Sequence, residues 1–288
     1  MRKQILLILF MILAHSMYSL SIEKVKEIEY KSENDLIGVS EYLPFYFHDN
    51  KIISMSDTLP KTMTFLFEEE YLIHNISINE ESSVIAFTYG LGDFSIPAIF
   101  NPITNQKEIL LDIVKDGGSE YIYEIVRDLL WINENTLVYT VYDQVTGYYI
   151  MKTYNISTKQ IKNLFYGLNV LIQDTNQKNS SVIYSMDTSF GIEFWIYEMI
   201  SKIEEQIPNN NYFKIKYFDS HRILGYRYKN EQNNSVIEIL ENNKVIFKYN
   251  LDNTYSFIDY NEEFQVLLIS TIPSDYTISK KIHAYRFF

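Results

Sequence analysis

Residues 129–165 read LLWINENTLVYTVYDQVTGYYIMKTYNISTKQIKNLF, an alternation of tyrosine-rich apolar runs and short polar turns. The stretch opens on an apolar entry (Leu130, Trp131, Ile132), turns at NEN, runs through TLVYTVY, turns at DQVTG, returns along YYIMKTYN, turns at ISTKQ and closes on IKNLF. Short runs of β-branched and aromatic residues separated by Asn-, Asp-, Thr- and Gly-containing turns are the signature of antiparallel strands joined by hairpins. The same order recurs along the chain. Residues 76–113 repeat it step for step, with NEE for NEN, VIAFTY for LVYTVY and NPITNQKEILL for NISTKQIKNLF. Residues 171–207, 217–251 and 257–288 carry it downstream.

These units start near Ile76, Leu130, Leu171, Tyr217 and Phe257, about 40 to 54 residues apart, which is the length of a four-stranded propeller blade. A weaker copy precedes them, in which NKIISMS and KTMTFLFEE are expected to be the middle strands. The expected fold is therefore all-β: a β-propeller of six four-stranded blades, with five or seven as alternatives. A small sheet with two apolar faces cannot cover either alone, whereas blades stacked in a ring cover both. The strands SVIAFTY, TLVYTVY and EFWIYEM are apolar on successive residues, as a sheet covered on both faces requires. The last unit is one strand short, and SIEKVKEIEY near the N-terminus belongs to no unit, so pairing of the two chain ends is expected to close the ring and remove its open edge.

The repeat resembles the TolB-type and WD-like propeller repeats of bacterial exported proteins. Trp131, LVYTVY and YYIMKTYNISTKQIKNLF carry the resemblance, which extends from about Ile76 to the C-terminus. The Pro-Asp-Gly turn of those repeats is missing from every copy. The resemblance implies a protein-binding propeller, a minority of such families being enzymes.

The N-terminal MRKQILLILFMILAHSMYS places Arg2 and Lys3 before an apolar core from Ile5 to Ala14 and small residues at Ala14 and Ser16. It reads as a secretory signal over residues 1–19, cleaved after Ser16 or Ser19, leaving one propeller domain over 20–288; an uncleaved membrane anchor is the alternative. The expected location is periplasmic or extracellular. The chain has no cysteine, so stability rests on packing rather than disulfides. The formal charge is −12, and losing Arg2 and Lys3 with the leader makes it more negative still. Such a chain repels phosphate backbones and anionic lipid, which excludes nucleic acid as a partner and leaves the membrane only to an uncleaved leader.

Catalytic signatures are absent: the chain has no G-x-S-x-G elbow, Gly-rich phosphate loop or H-E-x-x-H. Its histidines, His15, His48, His74, His221 and His283, are scattered, and no metal or cofactor is expected. Asp93, Asp143, Asp187 and Asp275 each fall at the hairpin between the second and third strands of a unit, hence on one face of the disc. A ring of carboxylates there would attract a basic partner, although Asp is also a turn former in its own right. The tyrosines Tyr139, Tyr142, Tyr148, Tyr149 and Tyr154 form a ladder suited either to core packing or to a sugar-binding surface. The expectation is a monomeric, non-enzymatic propeller that binds a protein or envelope component. A glycan or peptide hydrolase or lyase is one alternative, and an outer-membrane barrel, suggested by the tyrosines and the terminal AYRFF, is another.

Overall fold

The structure, a computed structural model, describes residues 20–30, 37–40, 43–48, 51–54, 62–64, 72–79, 81–82, 84–90, 96–101, 103–104, 106–116, 125–143, 145–208, 211–229, 234–252, 255–261, 265–271 and 280–288. The leader and its cleavage positions lie outside them. No helix among the described residues is long and apolar enough to cross a membrane.

The strands are antiparallel and fall into separate sheets rather than one continuous barrel wall. After β1 (Ile22–Tyr30), the strands β2 (Ile37–Ser40), β3 (Leu43–His48), β4 (Lys51–Ser54) and β5 (Thr62–Thr64) pair in that order. A second sheet holds β6 (Leu72–Ile78), β7 (Ile85–Gly90), β8 (Ile96–Asn101) and β9 (Gln106–Ile109), and the helix α1 (Leu111–Asp116) leads out of it. A seven-stranded run follows: β10 (Ile125–Asn133), β11 (Thr136–Asp143), β12 (Tyr148–Asn155), β13 (Gln160–Asn176), β14 (Ser181–Thr188), β15 (Gly191–Glu198) and β16 (Glu204–Ile207). Next come β17 (Lys214–Tyr217), β18 (Arg222–Lys229), β19 (Asn234–Glu241) and β20 (Lys244–Asn250). In the last sheet, β21 (Tyr255–Asn261), β22 (Val266–Thr271) and β23 (Lys280–Phe287) are joined by β1, which pairs antiparallel with β23.

Alternate residues of one strand supply two different cores, which is why the strand sequences do not alternate. Leu137, Tyr139 and Val141 of β11 pack with Ala86, Leu110 and Ile113, while Val138 between them packs with Val170, Ile172 and Val182. On β14, Ile183 joins Phe194, Tyr212 and Ile215, and its neighbours Val182 and Tyr184 join the opposite side. A fourth core runs from Phe218, Leu224 and Tyr226 to Tyr260, Leu267 and Phe287 of the last sheet. First strands lie side by side: β10 touches β6 and β13, β13 touches β17, and β2 lies against β21 and β22.

Three expectations change. IKNLF is the last strand of its unit, pairing with β12, but it is not set apart from the next unit's first strand: β13 runs unbroken through the boundary and its second part pairs with β14. The bend falls at 167–170, where a Cβ on Gly167 would lie 2.9 Å from Val170 Cγ2 and Asn169 takes a left-handed φ of 50°. In the first sheet, NKIISMS supplies the third strand, β4, a middle strand as expected, whereas KTMTFLFEE supplies the fourth, β5, at the sheet's edge. Finally, α1 is a short helix that apolar spacing did not reveal; Leu110 and Ile113 at its start plug the core beneath it.

In place of the missing Pro-Asp-Gly turn, the first hairpin of successive units closes on an Asn or Asp side chain. Asn79 Oδ1 accepts from the N–H groups of Glu81 (3.1 Å) and Ser82 (3.0 Å), and Asn176 Oδ1 from those of Lys178 (3.0 Å) and Asn179 (3.3 Å). Asn133 and Asp219 do the same for Asn135 (3.1 Å) and Arg222 (2.8 Å). Such a side chain mimics the backbone turn and needs neither proline nor glycine.

Candidate binding face

In an antiparallel sheet of four strands, the hairpin between the second and third strands and the crossover to the next sheet share one edge. The other two turns lie on the opposite edge. The first edge therefore collects the hairpins 143–148 and 188–191, the bend of β13 at 167–170, the crossover before β17 and the start of β10.

The opposite edge is stitched together by polar side chains. Asn79 Nδ2 donates to the carbonyl of Glu134 at 3.1 Å, and Gln177 Nε2 reaches the carbonyl of Ile78 at 2.8 Å. The hairpin edge instead exposes large apolar side chains: Val145 (93%), Phe190 (91%), Tyr166 (62%), Phe213 (58%), Leu168 and Ile192. Backbone pairing relates two of them, Leu168 and Ile192, which lie either side of Asp187. Tyr149 and Ile150 lie opposite Gly167 and Tyr166 on one side of the bend, and Leu168 lies opposite Asp187 on the other. Exposed aliphatics lie on the stitched edge as well, in three turns: Ile103 between β8 and β9, Ile200 and Ile203 between β15 and β16, and Val245 and Ile246 just after the turn between β19 and β20.

Of the four aspartates, Asp93 and Asp275 lie outside the described residues, and the other two sit on this edge in different settings. Asp143 closes its own hairpin: Oδ1 accepts from the N–H of Val145 (2.9 Å) and Oδ2 from the hydroxyl of Thr146 (2.7 Å). Those bonds, the Thr146 hydroxyl foremost, hold its carboxyl below the ordinary Asp range. Asp187 Oδ2 accepts from Asn169 Nδ2 at 3.2 Å, across the bend of β13. Asn169 Oδ1 in turn accepts from Arg127 Nη1 at 3.0 Å, and the same Nη1 donates to Tyr149 Oη at 3.3 Å. The Arg127 guanidinium lies 5.5 Å from the centre of the Tyr149 ring, which packs against Tyr142 with ring centres 5.1 Å apart.

The tyrosine ladder divides. Tyr139 and Tyr154 are buried in the core, whereas Tyr142, Tyr148 and Tyr149 lie toward the hairpin edge. Arg127 and Asn169 carry no motif, and reasoning from the sequence passed them over. Apolar residues at the tips of tight polar turns, Val145 in DQVTG and Phe190 in TSFGI, were a legible signal for this edge.

The histidines stay apart: His221 lies in the turn between β17 and β18, His283 is buried on β23, and His48 and His74 belong to β3 and β6. Among the described residues, no group of three His, Asp or Glu is placed to hold a metal ion.

No protein-family model matches the chain, and no curated protein does. Solved structures do match. TolB from Acinetobacter baumannii superposes with a TM-score of 0.54 at 12% identity, over 85% of this chain and 62% of TolB, so this chain spans less than two thirds of that protein. The β-propeller domain of the Trilobed protease from Pyrococcus furiosus gives 0.51 at 11% identity, covering 88% of this chain and 76% of that one. A gluconolactonase from Xanthomonas campestris gives 0.60 at 6% identity, covering 93% and 90%. At such identities the likeness is one of fold, and it joins the small antiparallel sheets and the repeat in the sequence in one conclusion: the chain has the fold of β-propeller proteins, TolB among them.

Proposed function

We propose that the sheets are six four-stranded blades of a closed propeller, exported by the leader at 1–19 as one monomeric domain over 20–288, which binds a protein or envelope component through its hairpin edge. The blade count is supported by the division of β13 between two sets of partners and by β1 completing the last sheet. Closure is supported by the contact of β2 with β21 and β22. The observation that supports the binding reading is the apolar character of this edge: Val145, Leu168, Phe190 and Ile192 are large and exposed there, where a free surface gains nothing from them. Asp143 and Asp187 give this edge negative charge, and Asp93 and Asp275, which hold the same position in their repeats, are proposed to extend it, favouring a partner with basic residues at its periphery.

The test is capture from envelope extract. Leu168→Asp with Phe190→Asp should abolish retention of a partner that the unaltered protein holds, while Ile103→Asp with Ile200→Asp on the opposite edge should leave it intact. The reverse pattern would move the site to the other edge. Replacing the four aspartates by Asn keeps their turn chemistry and should weaken capture mainly at low salt. The gluconolactonase, an enzyme on the same fold, supplies the competing reading; turnover of sugar lactones by the purified protein would replace binding with catalysis.

A further inference from the structure

We propose that the hairpin edge takes a glycan: a chain of sugar units free of acidic groups, stacked on exposed aromatic rings that stand in different turns. The inference rests on the binding reading of this edge and adds the chemistry of its occupant.

Among the described residues five aromatic side chains are exposed, and four of them stand on the hairpin edge. Tyr148 opens β12 after its hairpin, Tyr166 precedes the bend of β13, Phe190 lies in the hairpin between β14 and β15, and Phe213 leads into β17. The fifth, Phe288, follows β23 on the stitched edge, where the other large exposed side chains are aliphatic. Water expels rings and branched chains alike, so hydrophobicity does not account for this sorting.

The rings stand on ordered chain. Tyr166 Oη accepts from Asn163 Nδ2 at 2.6 Å, the N–H of Phe190 donates to Thr188 Oγ1 at 3.2 Å, and the N–H of Phe213 donates to the Tyr226 carbonyl at 2.8 Å. Tyr and Phe turn about two side-chain angles, so a ring on an ordered turn loses little freedom when a ligand covers it.

The rings also come one to a connection, with Asp143, Thr146, Asp187 and Thr188 beside them in the chain. A protein partner's anchors cluster in one desolvated centre. A polysaccharide instead presents an apolar C–H face at each unit and hydroxyls around it, which suits rings set apart by polar turns. Asp187 spends Oδ2 on Asn169 at 3.2 Å and keeps Oδ1 for a sugar hydroxyl, with Leu168 and Ile192 paired on either side of it. The same carboxylates repel acidic groups, which restricts the sugars.

The experiment is affinity electrophoresis of the protein exported by its own leader, through gels carrying the polysaccharide fraction of envelope extract after protease digestion. The fraction should retard the unaltered protein, and periodate oxidation, which opens sugar rings, should remove the effect. Tyr148→Ala, Tyr166→Ala and Phe190→Ala should each weaken retention by about three- to tenfold. The three together should abolish it with the melting temperature unchanged. Tyr148→Phe with Tyr166→Phe keeps both rings and should be retained, as should Ile103→Ala with Ile200→Ala on the opposite edge. Retardation that survives periodate or the three alanines overturns the glycan. So does a fraction that leaves the protein unretarded while undigested extract yields a protease-sensitive partner lost on Leu168→Asp with Phe190→Asp; that result leaves the face standing with a protein on it. Capture of nothing by the unaltered protein, or capture untouched by Leu168→Asp with Phe190→Asp, overturns the face and the glycan with it.

Discussion

Asp128 ties three strands with one oxygen: Oδ2 accepts from the Thr140 hydroxyl on β11 at 2.9 Å and from the Ile172 N–H on β13 at 3.1 Å. Burial raises its carboxyl above the ordinary Asp range, against the opposing pull of those two bonds and of Lys214 and Arg127. A carboxyl raised by folding contributes stability that is complete below its unfolded value and is lost as pH climbs through its folded value. Asp128→Asn keeps an acceptor and removes the charge, so it should melt at or above the unaltered protein at neutral pH, with the difference vanishing on acidification. Asp128→Ala leaves two buried donors unpaired and should cost about 2 to 4 kcal/mol in denaturant titration. Glu238 behaves in the opposite sense. Burial would raise it, but hydrogen bonds from Arg227 (2.8 Å) and Tyr212 (2.9 Å) outweigh burial and hold it low, so its contribution is lost as pH falls. Tyr212 reaches Glu238 by lying over Gly225, where a Cβ would come within 2.4 Å of the ring. Gly225→Ala must displace that ring and should destabilise by about 1 to 3 kcal/mol in the same titration. None of this was legible beforehand: Glu238 reads as an outward residue in NSVIEILE, and only the arrival of Tyr212 from the preceding crossover shows that it is buried.

Among the elements, β13 and β1 carry the largest consequences. Removing residues 129–165 would cut β10, take away β11 and β12 and remove most of the part of β13 that pairs with β12, so the shortened chain should fail to fold; a monomer melting near the original temperature would disprove the shared-strand architecture. β1 is expected to matter as much as any strand of the interior. Its register sets Glu23 opposite Arg286 of β23, a pair of complementary charge that favours this alignment over a slipped one. Deleting residues 22–30 exposes the edge of β23 and should lower the melting temperature by roughly 10 °C or more, with concentration-dependent association in light scattering. A silent deletion would make β1 a tether. The pairing of SIEKVKEIEY with the C-terminal strand was readable because the last unit lacked a strand. The continuity of β13 was not, since polar turns mark every other strand end in its unit and nothing in LFYGLNV separates a sharp bend from a loop.

For the molecule as a whole, cores shared between successive sheets predict one cooperative unfolding transition, with calorimetric and van't Hoff enthalpies in agreement; two resolved transitions would show that the sheets unfold independently. The all-β class, the repeat length, the turns closed by Asn or Asp and the covering of both strand faces were determined by the sequence alone. Each depends on residues within one unit, where spacing and turn chemistry leave a local mark. What only the tertiary structure decided lies between units: Arg127 meeting Asn169 and Asp187, Glu238 meeting Tyr212, the stitched edge opposite the apolar one, and which of many apolar side chains remain uncovered. These contacts join residues tens of positions apart through a bend and a series of stacked sheets, and side-chain directions across such a seam are fixed by packing, which leaves no periodic trace in the chain.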